Sequence, residues 1–284
     1  MASLLIALLG GEGKMPRLII EGMHSEGKKV FLLAIKGVTP LSLAKLADEV
    51  LWLHIVQLGK AIRECSKRRI KEVVMAGRVH HRIIFSLSLF RMDLTAFKLW
   101  WNMTDWRADT ILKGIADALA KKGLTLVSSV RYLGSYLSKR GTLTHKRPTS
   151  RDLEDIQFGV QIAKEMGRLD IGQTVVVKKK AVVAIEAMEG TDLCLERAGR
   201  VAGTGCVVVK MSKPNQDMRF DVPIIGLNTI EKLAKIGATV LAIEAEYTVL
   251  IDKHLISVAD QMGVAIVALP RERTEPTLSN EEHF

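Results

Sequence analysis

At 284 residues and 31.4 kDa, with 48% hydrophobic and 25% charged residues, the chain has enough apolar side chains for a sizeable core, and its length suggests two domains. Disorder, collagen and small disulfide scaffolds are excluded, and the three cysteines, Cys65, Cys194 and Cys206, are odd in number, widely spaced and without Cys-x-x-Cys, which argues against a disulfide framework or zinc site and for a reducing, cytosolic setting. The formal charge of +10 sits in residues 1–142, with 23 Lys and Arg against 11 Asp and Glu, while residues 143–284 hold 18 against 20; such a basic half fits an anionic ligand, an anionic membrane surface, nucleic acid or a solvated face, and charge alone does not choose among them.

In chain order, residues 3–9 are apolar but lack a preceding basic residue and stop at Gly10-Gly11, so they read as a buried strand and not as part of a signal peptide. A glycine turn and Pro16 near a helix start make this a βα unit. A second strand is expected over residues 29–35. Over residues 50–68, Leu51, Ile55, Leu58 and Ile62 recur three to four apart, which predicts one helix. Residues 72–77 read as a third strand, 109–122 as a helix stopped by Gly123, and 124–127 as another strand.

Residues 80–106 break this alternation and hold Trp100, Trp101 and Trp106 among Phe85, Phe90, Phe97, Arg91 and Lys98. They read as a helical excursion packing on the sheet, or as an amphipathic surface for lipid. The polar, basic stretch 134–148 is the best linker, and Thr149-Ser150-Arg151-Asp152 opens a helix beyond it. Two β-branched runs, 174–177 and 181–185, flank a hairpin-like turn at Lys178-Lys179-Lys180, lysines read as serving solubility. Further strands are expected at 206–209, 240–243, 248–251 and 264–269, with helices at 229–236 and 254–262. No apolar run reaches the roughly 20 residues that cross a bilayer. The expected fold is α/β: an N-terminal Rossmann-like parallel-sheet domain over 1–134, a linker over 135–148, and a C-terminal mixed α/β domain over 149–284, frayed after about 270.

Chemistry concentrates in three places. Gly11-x-Gly13-x-x-Pro16 follows the first strand and resembles a dinucleotide fingerprint, whose glycines let helix-end amides approach a phosphate. A nicotinamide enzyme should carry an acidic ribose partner after the second strand, where this chain has Lys36-Gly37. Residues 186–192 gather Glu186, Glu189 and Asp192 around Gly190 and Thr191. Carboxylates this dense need a positive partner, either a hard divalent cation or basic side chains, unless Asp192 caps the helix and the glutamates are solvated. Residues 210–223 alternate Lys210, Lys213 and Arg219 with Asp217 and Asp221 and include Gln216, in a loop that Pro214 and Pro223 keep from becoming helical. The cations could neutralise a diphosphate while Asp221 orders a metal ion or an attacking water; the alternative is a surface salt-bridge loop.

Taken together, residues 186–192 and 210–223 resemble the two signature loops of the LpxI family, bacterial UDP-2,3-diacylglucosamine pyrophosphatases of lipid A synthesis. Gln57-Leu58-Gly59-Lys60, Val74-Met75-Ala76-Gly77-Arg78-Val79, Leu143-Thr144 and Leu169-Asp170-Ile171-Gly172-Gln173 resemble family positions in the same order, as does the first glycine turn. The resemblance covers residues 4–269. It implies hydrolysis of UDP-2,3-diacylglucosamine to UMP and lipid X, dependence on Mg²⁺ or Mn²⁺, two domains holding the substrate between them, and peripheral work at the cytoplasmic face of the inner membrane. It also implies Asp221 as the essential acidic group. Asp192 and Glu189 are expected to join it in catalysis, with Asp221, Asp192 and Asp217 as the expected metal ligands. Gly11, Gly13, Met75, Ala76, Gly77, Arg78, Gly190, Thr191, Lys210, Lys213, Gln216 and Arg219 are the expected substrate contacts. A homodimer is kept as a partner and nucleic acid is not. The rivals are a non-catalytic basic lipid-binding module and a nicotinamide-dependent oxidoreductase.

Overall fold

The computed structural model describes residues 4–79, 92–103, 108–214, 216–219 and 221–271. The expectations placed on residues 80–91, on 104–107 with Trp106, and on the tail after 271 lie outside the described residues. The chain divides into two compact units, Met1–Gly134 with Asp217–Asp221, and Ser135–Gln216 with Val222–Phe284.

The first unit is a parallel sheet in the order β3-β2-β1-β4-β5, formed by Leu5–Gly10, Lys29–Ile35, Glu49–Leu53, Glu72–Ala76 and Thr125–Leu126, numbered β1 to β5 along the chain. Its central strands are buried on both faces, and so they read as continuous apolar runs. Helices α1 (Met15–Ser25), α2 (Leu41–Ala44), α3 (Leu58–Lys67), α4 (Leu94–Trp101) and α5 (Ala108–Ala120) connect them. On one sheet face Ala7, Phe31, Leu33, Val73 and Met75 pack with Ala61, Ile62 and Cys65 of α3 and Ala116 and Leu119 of α5. Alternation along β1 sends Ile6 and Leu8 to the other face, where both are fully buried.

The helix expected over residues 50–68 is corrected. Its first residues form β3, where Leu51 pairs with Leu33 and Leu53 with Ile35, and helix begins only at Leu58. Leu51 and Leu53 satisfy a period of two as well as the helical one, and pairing with the edge of β2 decides between them.

The second unit holds a mixed sheet in the order β6-β13-β11-β9-β7-β8. Its strands are β6 (Gly141–Thr142), β7 (Thr174–Lys178), β8 (Ala181–Ile185), β9 (Val207–Lys210), β11 (Val240–Glu244) and β13 (Ala265–Leu269), while β10 (Ile224–Ile225) and β12 (Val249–Leu250) pair separately. Strands β9, β11 and β13 are parallel, and β6, β7 and β8 join antiparallel. Helix α6 (Ser150–Arg168) covers one face through Ile156, Ala163 and Met166 on Val207 and Val209. Helices α7 (Thr191–Ala202), α8 (Leu227–Lys235) and α9 (Leu255–Gln261) supply the other core, where Val208 packs. The single step from Val207 to Val208 changes faces, as the pleat requires. Thr149 caps α6 as expected, in a capping box with Asp152.

Residues 135–148, expected as a linker, are instead woven into this second sheet. β6 pairs with β13, Leu143 N donates to Ile266 O at 2.8 Å, and Ile266 N donates to Thr144 Oγ1 at 2.9 Å. Short polar residues mark loops in a sequence, but their hydroxyls also serve an edge strand, and only the pairing partner separates the two. The three cysteines are unpaired and buried, and burial pushes the thiols of Cys65 and Cys194 up to about 11, which keeps them inert.

Candidate active site

In the first unit, β1 and β4 are neighbours where the strand order reverses, the point at which open α/β sheets take ligands. The turns leaving these strands are zipped together. Gly11 N donates to Ala76 O at 2.8 Å, Glu12 N to Arg78 O at 3.0 Å, and Arg78 N to Glu12 O at 3.0 Å. A Cβ on Gly11 would stand 2.5 Å from Arg78 O, and Gly77 has φ +89° with Glu12 O in the way of any side chain. These glycines therefore serve the approach of two backbones. The amides of Gly11 and Glu12 are bonded to the neighbouring turn. Gly13, at φ +104°, has open space where a side chain would be. The structure thus brings Gly11, Gly13 and Met75 to Arg78 to one sheet edge.

In the second unit, register sets Thr174 opposite Lys210 and Val175 opposite Ile185, so the segments after β8 and β9 leave from one edge. There Lys210 Nζ donates to Thr191 Oγ1 at 3.0 Å, and Thr191 Oγ1 donates to Glu186 Oε1 at 2.8 Å. One residue from the second signature loop is thereby tied to two from the first. Glycine makes this possible: a Cβ on Gly172 would lie 2.0 Å from Glu186 O, and Gln173 O accepts from Met211 N at 3.0 Å. Glu186 Oε2, Ser212 Oγ and Thr174 Oγ1 are buried polar atoms with no hydrogen-bond partner among the described residues, groups that a polar ligand or water would satisfy.

The other carboxylates of residues 186–192 have basic partners. Glu189 accepts from Arg197 at 2.6 Å and from Ala187 N at 3.1 Å, and its own backbone amide, then Arg197, holds its carboxyl below the usual value. Asp192 lies 3.0 Å from Lys232 and accepts from Asn228 at 3.1 Å. Gly190, at φ +82°, is the N-cap of α7, and Asp192 lies in its first turn. In the second loop Lys213 pairs with Asp170, and its amide donates to Gln216 Oε1 at 2.9 Å.

The segment Asp217–Asp221 groups with the first unit, so Asp221 and Asp192 belong to different units. Within it Arg219 clasps Asp217 through Nε at 2.9 Å and Nη2 at 2.6 Å, which lowers the Asp217 pKa, and Lys113 of α5 lowers it further. Ser128 Oγ donates to Met218 O at 2.7 Å, and Asp221 N to Asp217 O at 2.9 Å. Among the described residues no group of three His, Cys, Asp or Glu side chains is placed to hold a metal. Asp217 and Asp192 are each engaged by a cation, so the ligand set expected from the sequence does not fit a divalent ion as it stands.

Sequence reasoning missed Glu244, which is 5% exposed at the end of β11. Its Oε2 accepts from Ser212 N at 3.1 Å and its carbonyl from Ser138 Oγ at 2.9 Å, fixing the start of the second loop. The available signal was a carboxylate directly after the apolar run Val240–Ile243, an arrangement that buries it. Asp170 was noted only within a family-like motif, without its link to Lys213, and Lys113 and Ser128 were missed because nothing local links them to the loop.

Fold and site together define a two-unit α/β protein whose charged and polar side chains collect at strand ends, where such folds take charged ligands. More particularly, the chain belongs to the LpxI family: the model of the LpxI N-terminal domain matches residues 5–136 and that of the C-terminal domain residues 139–267. It is 28% identical over 280 residues to the UDP-2,3-diacylglucosamine pyrophosphatase LpxI of Caulobacter vibrioides, covering 94% of this chain and 99% of that one. Among solved structures, an ADP-bound biotin carboxylase domain of a thermophilic 2-oxoglutarate carboxylase is similar at a TM-score of 0.27 and 9% identity, covering 70% of this chain and 32% of that one. An ADP complex of N5-carboxyaminoimidazole ribonucleotide synthetase reaches 0.27 and 17%, covering 62% and 34%. Scores this low carry no argument.

Proposed function

We propose that this chain hydrolyses UDP-2,3-diacylglucosamine at its diphosphate, releasing UMP and 2,3-diacylglucosamine 1-phosphate (lipid X). Family membership over both domains and the likeness to the Caulobacter UDP-2,3-diacylglucosamine pyrophosphatase support this. The observation that carries it is the joining of Lys210, Thr191 and Glu186 at one strand edge, beside buried polar atoms with capacity for a polar ligand.

In this reading water adds to a phosphorus, the bridging P–O bond breaks, and Asp221 orders the attacking water. Lys210 and Arg219 offset the charge developing on the phosphoryl oxygens. Glu189 and Asp192 act through Arg197 and Lys232, which they hold in place. Gly190 and Thr191 lie against the diphosphate, Gly11, Gly13 and Met75 to Arg78 supply substrate contacts in the first unit, and Lys213 and Gln216 brace the loop. Mg²⁺ or Mn²⁺ enters only through the family resemblance. To bind it, Asp192 or Asp217 would have to leave its basic partner, and no step here is routed through a metal.

Membrane contact completes the proposal. Among the described residues no helix is long and apolar enough to cross a bilayer. Helix α4 instead exposes Leu94, Phe97 and Trp101 three to four apart beside Lys98, a surface suited to the interface of an anionic membrane.

The nicotinamide reading loses its ribose partner, because Lys36 follows β2 directly. The decisive test is UMP release from purified protein and UDP-2,3-diacylglucosamine, with and without EDTA. Release is expected, with loss of activity under chelation marking metal dependence; no release under either condition overturns the proposed activity.

A further inference from the structure

Helices α3 and α4 touch, and a groove of about 590 Å³ opens between them, lined by Arg63 of α3 and by Met92, Asp93, Leu94, Thr95 and Phe97 at the start of α4. Its borders differ in chemistry. On α3, Lys60, Arg63 and Lys67 recur three to four apart, which puts basic side chains along one helical face. On α4, Leu94, Phe97 and Trp101 form an exposed apolar row with Lys98 beside it, and Phe97 stacks on Trp101 with ring centroids 6.0 Å apart. Two of the nearby charges are already engaged. Asp93 accepts from the amides of Lys60, Thr95 and Ala96 at 2.9, 3.1 and 3.0 Å, which spreads its negative charge over those donors. Lys67 pairs with Glu64 at 2.8 Å. Arg63 is exposed and makes no hydrogen bond or ion pair with any described residue.

We propose that this groove binds the phosphodiester headgroup of an anionic phospholipid, Arg63 taking the phosphate as a fork while Leu94, Phe97 and Trp101 enter the membrane interface. A soluble anion has no use for the apolar row, and a purely apolar partner would desolvate the guanidinium without a counter-charge. A bilayer meets both needs, because its phosphates lie directly above its acyl chains. The excess of Lys and Arg in residues 1–142 draws this unit toward such a surface. The inference rests on the membrane contact proposed above, and adds a lipid class and the residue that recognises it. The occupant is bulk phospholipid and not the substrate, so Arg63 stands outside the hydrolytic machinery.

The test is flotation of the full chain with vesicles of phosphatidylcholine alone, and of equal parts phosphatidylcholine and phosphatidylglycerol, beside UMP release from detergent-dispersed substrate. Wild type is expected to prefer the anionic vesicles. Arg63→Gln, checked for fold by circular dichroism, should lower partition to them about fivefold and leave partition to phosphatidylcholine unchanged. Arg63→Lys should recover only part of the loss, because an ammonium cannot fork onto a phosphate. Lys67→Gln removes an equal charge that Glu64 already holds, and should cost no more than about twofold. Full recovery in Arg63→Lys, equal losses in Arg63→Gln and Lys67→Gln, or equal losses on both kinds of vesicle overturns the headgroup site. A raised KM of Arg63→Gln in detergent overturns it too, by making Arg63 a substrate contact. The outcomes separate from the readings beneath them. Flotation unchanged in Phe97→Ser with Trp101→Ser sinks the membrane contact itself, whereas loss there with wild-type flotation of Arg63→Gln sinks the headgroup site alone. Vesicle binding needs no turnover, so absence of UMP release counts against the hydrolase reading only.

Discussion

The ammonium of Lys210, leaving β9, donates to the hydroxyl of Thr191, opening α7, at 3.0 Å. That hydroxyl donates its own hydrogen bond to Glu186, so one side chain aligns a cation and a carboxylate from different loops. Thr191→Val keeps the shape and removes both bonds. We expect UMP release to fall about tenfold to a hundredfold, with Thr191→Ser restoring most of it. Wild-type turnover in Thr191→Val would remove this trio from the mechanism.

Arg219 holds Asp217 ionised, lowering its pKa from 3.8. A depressed carboxylate contributes stability that is present above the unfolded value and lost as pH falls through the folded one. Asp217→Asn should therefore be less stable than wild type at neutral pH by about 1 kcal/mol, a figure discounted for the half-exposed guanidinium. In urea unfolding across a pH series, the gap should persist down to about the ordinary Asp range and close below it. A gap independent of pH would mean that the pair carries none of this stability.

Asp155, buried in α6, accepts from the amides of Lys179 and Lys180 at 2.8 and 2.6 Å. Both lysines are left-handed, at φ 52° and 57°, as a tight β7–β8 hairpin requires. Asp155→Ala should cost about 2–3 kcal/mol by leaving two amides without their charged acceptor. Lys180→Gly should stabilise by up to about 1 kcal/mol by relieving the backbone, since its ion pair with Glu154 is exposed. Thermal unfolding reads both; opposite signs would show that the turn is not strained as described.

Phe97 stacks on Trp101 along the outer face of α4. Phe97→Ser with Trp101→Ser should lower association with liposomes containing anionic phospholipid about tenfold or more, while UMP release from detergent-dispersed substrate stays as in wild type. Equal flotation of the variant and wild type would place membrane contact elsewhere.

Periodicity made much of the fold legible. β2 falls where the apolar run 29–35 lies, α6 begins at its Thr149–Asp152 box, and the lysine turn separates β7 from β8. Residues 50–53 were read as helix because Leu51 fits two periods at once. The segment 135–148 was read as a linker because hydroxyl-rich edge strands look like loops. Glu186, Thr191 and Lys210 stand out in the sequence because dense charge after a strand is visible locally, whereas the hydrogen bonds that join them are not. The role given to the Lys178–Lys180 turn was incomplete, since its acceptor, Asp155, lies on another element.

By itself, the order of residues determined the alternation of strands and helices and the two charged loops that follow strands, because both are written in neighbours a few positions apart. Tertiary structure alone decided which groups meet: that Asp155 rather than solvent serves the lysine turn, that Glu244 is buried against Ser212, and that Arg63 and Phe97 border one groove. Those pairings join residues distant in the chain, and their energies come from burial and hydrogen-bond geometry that exist only after the elements have packed.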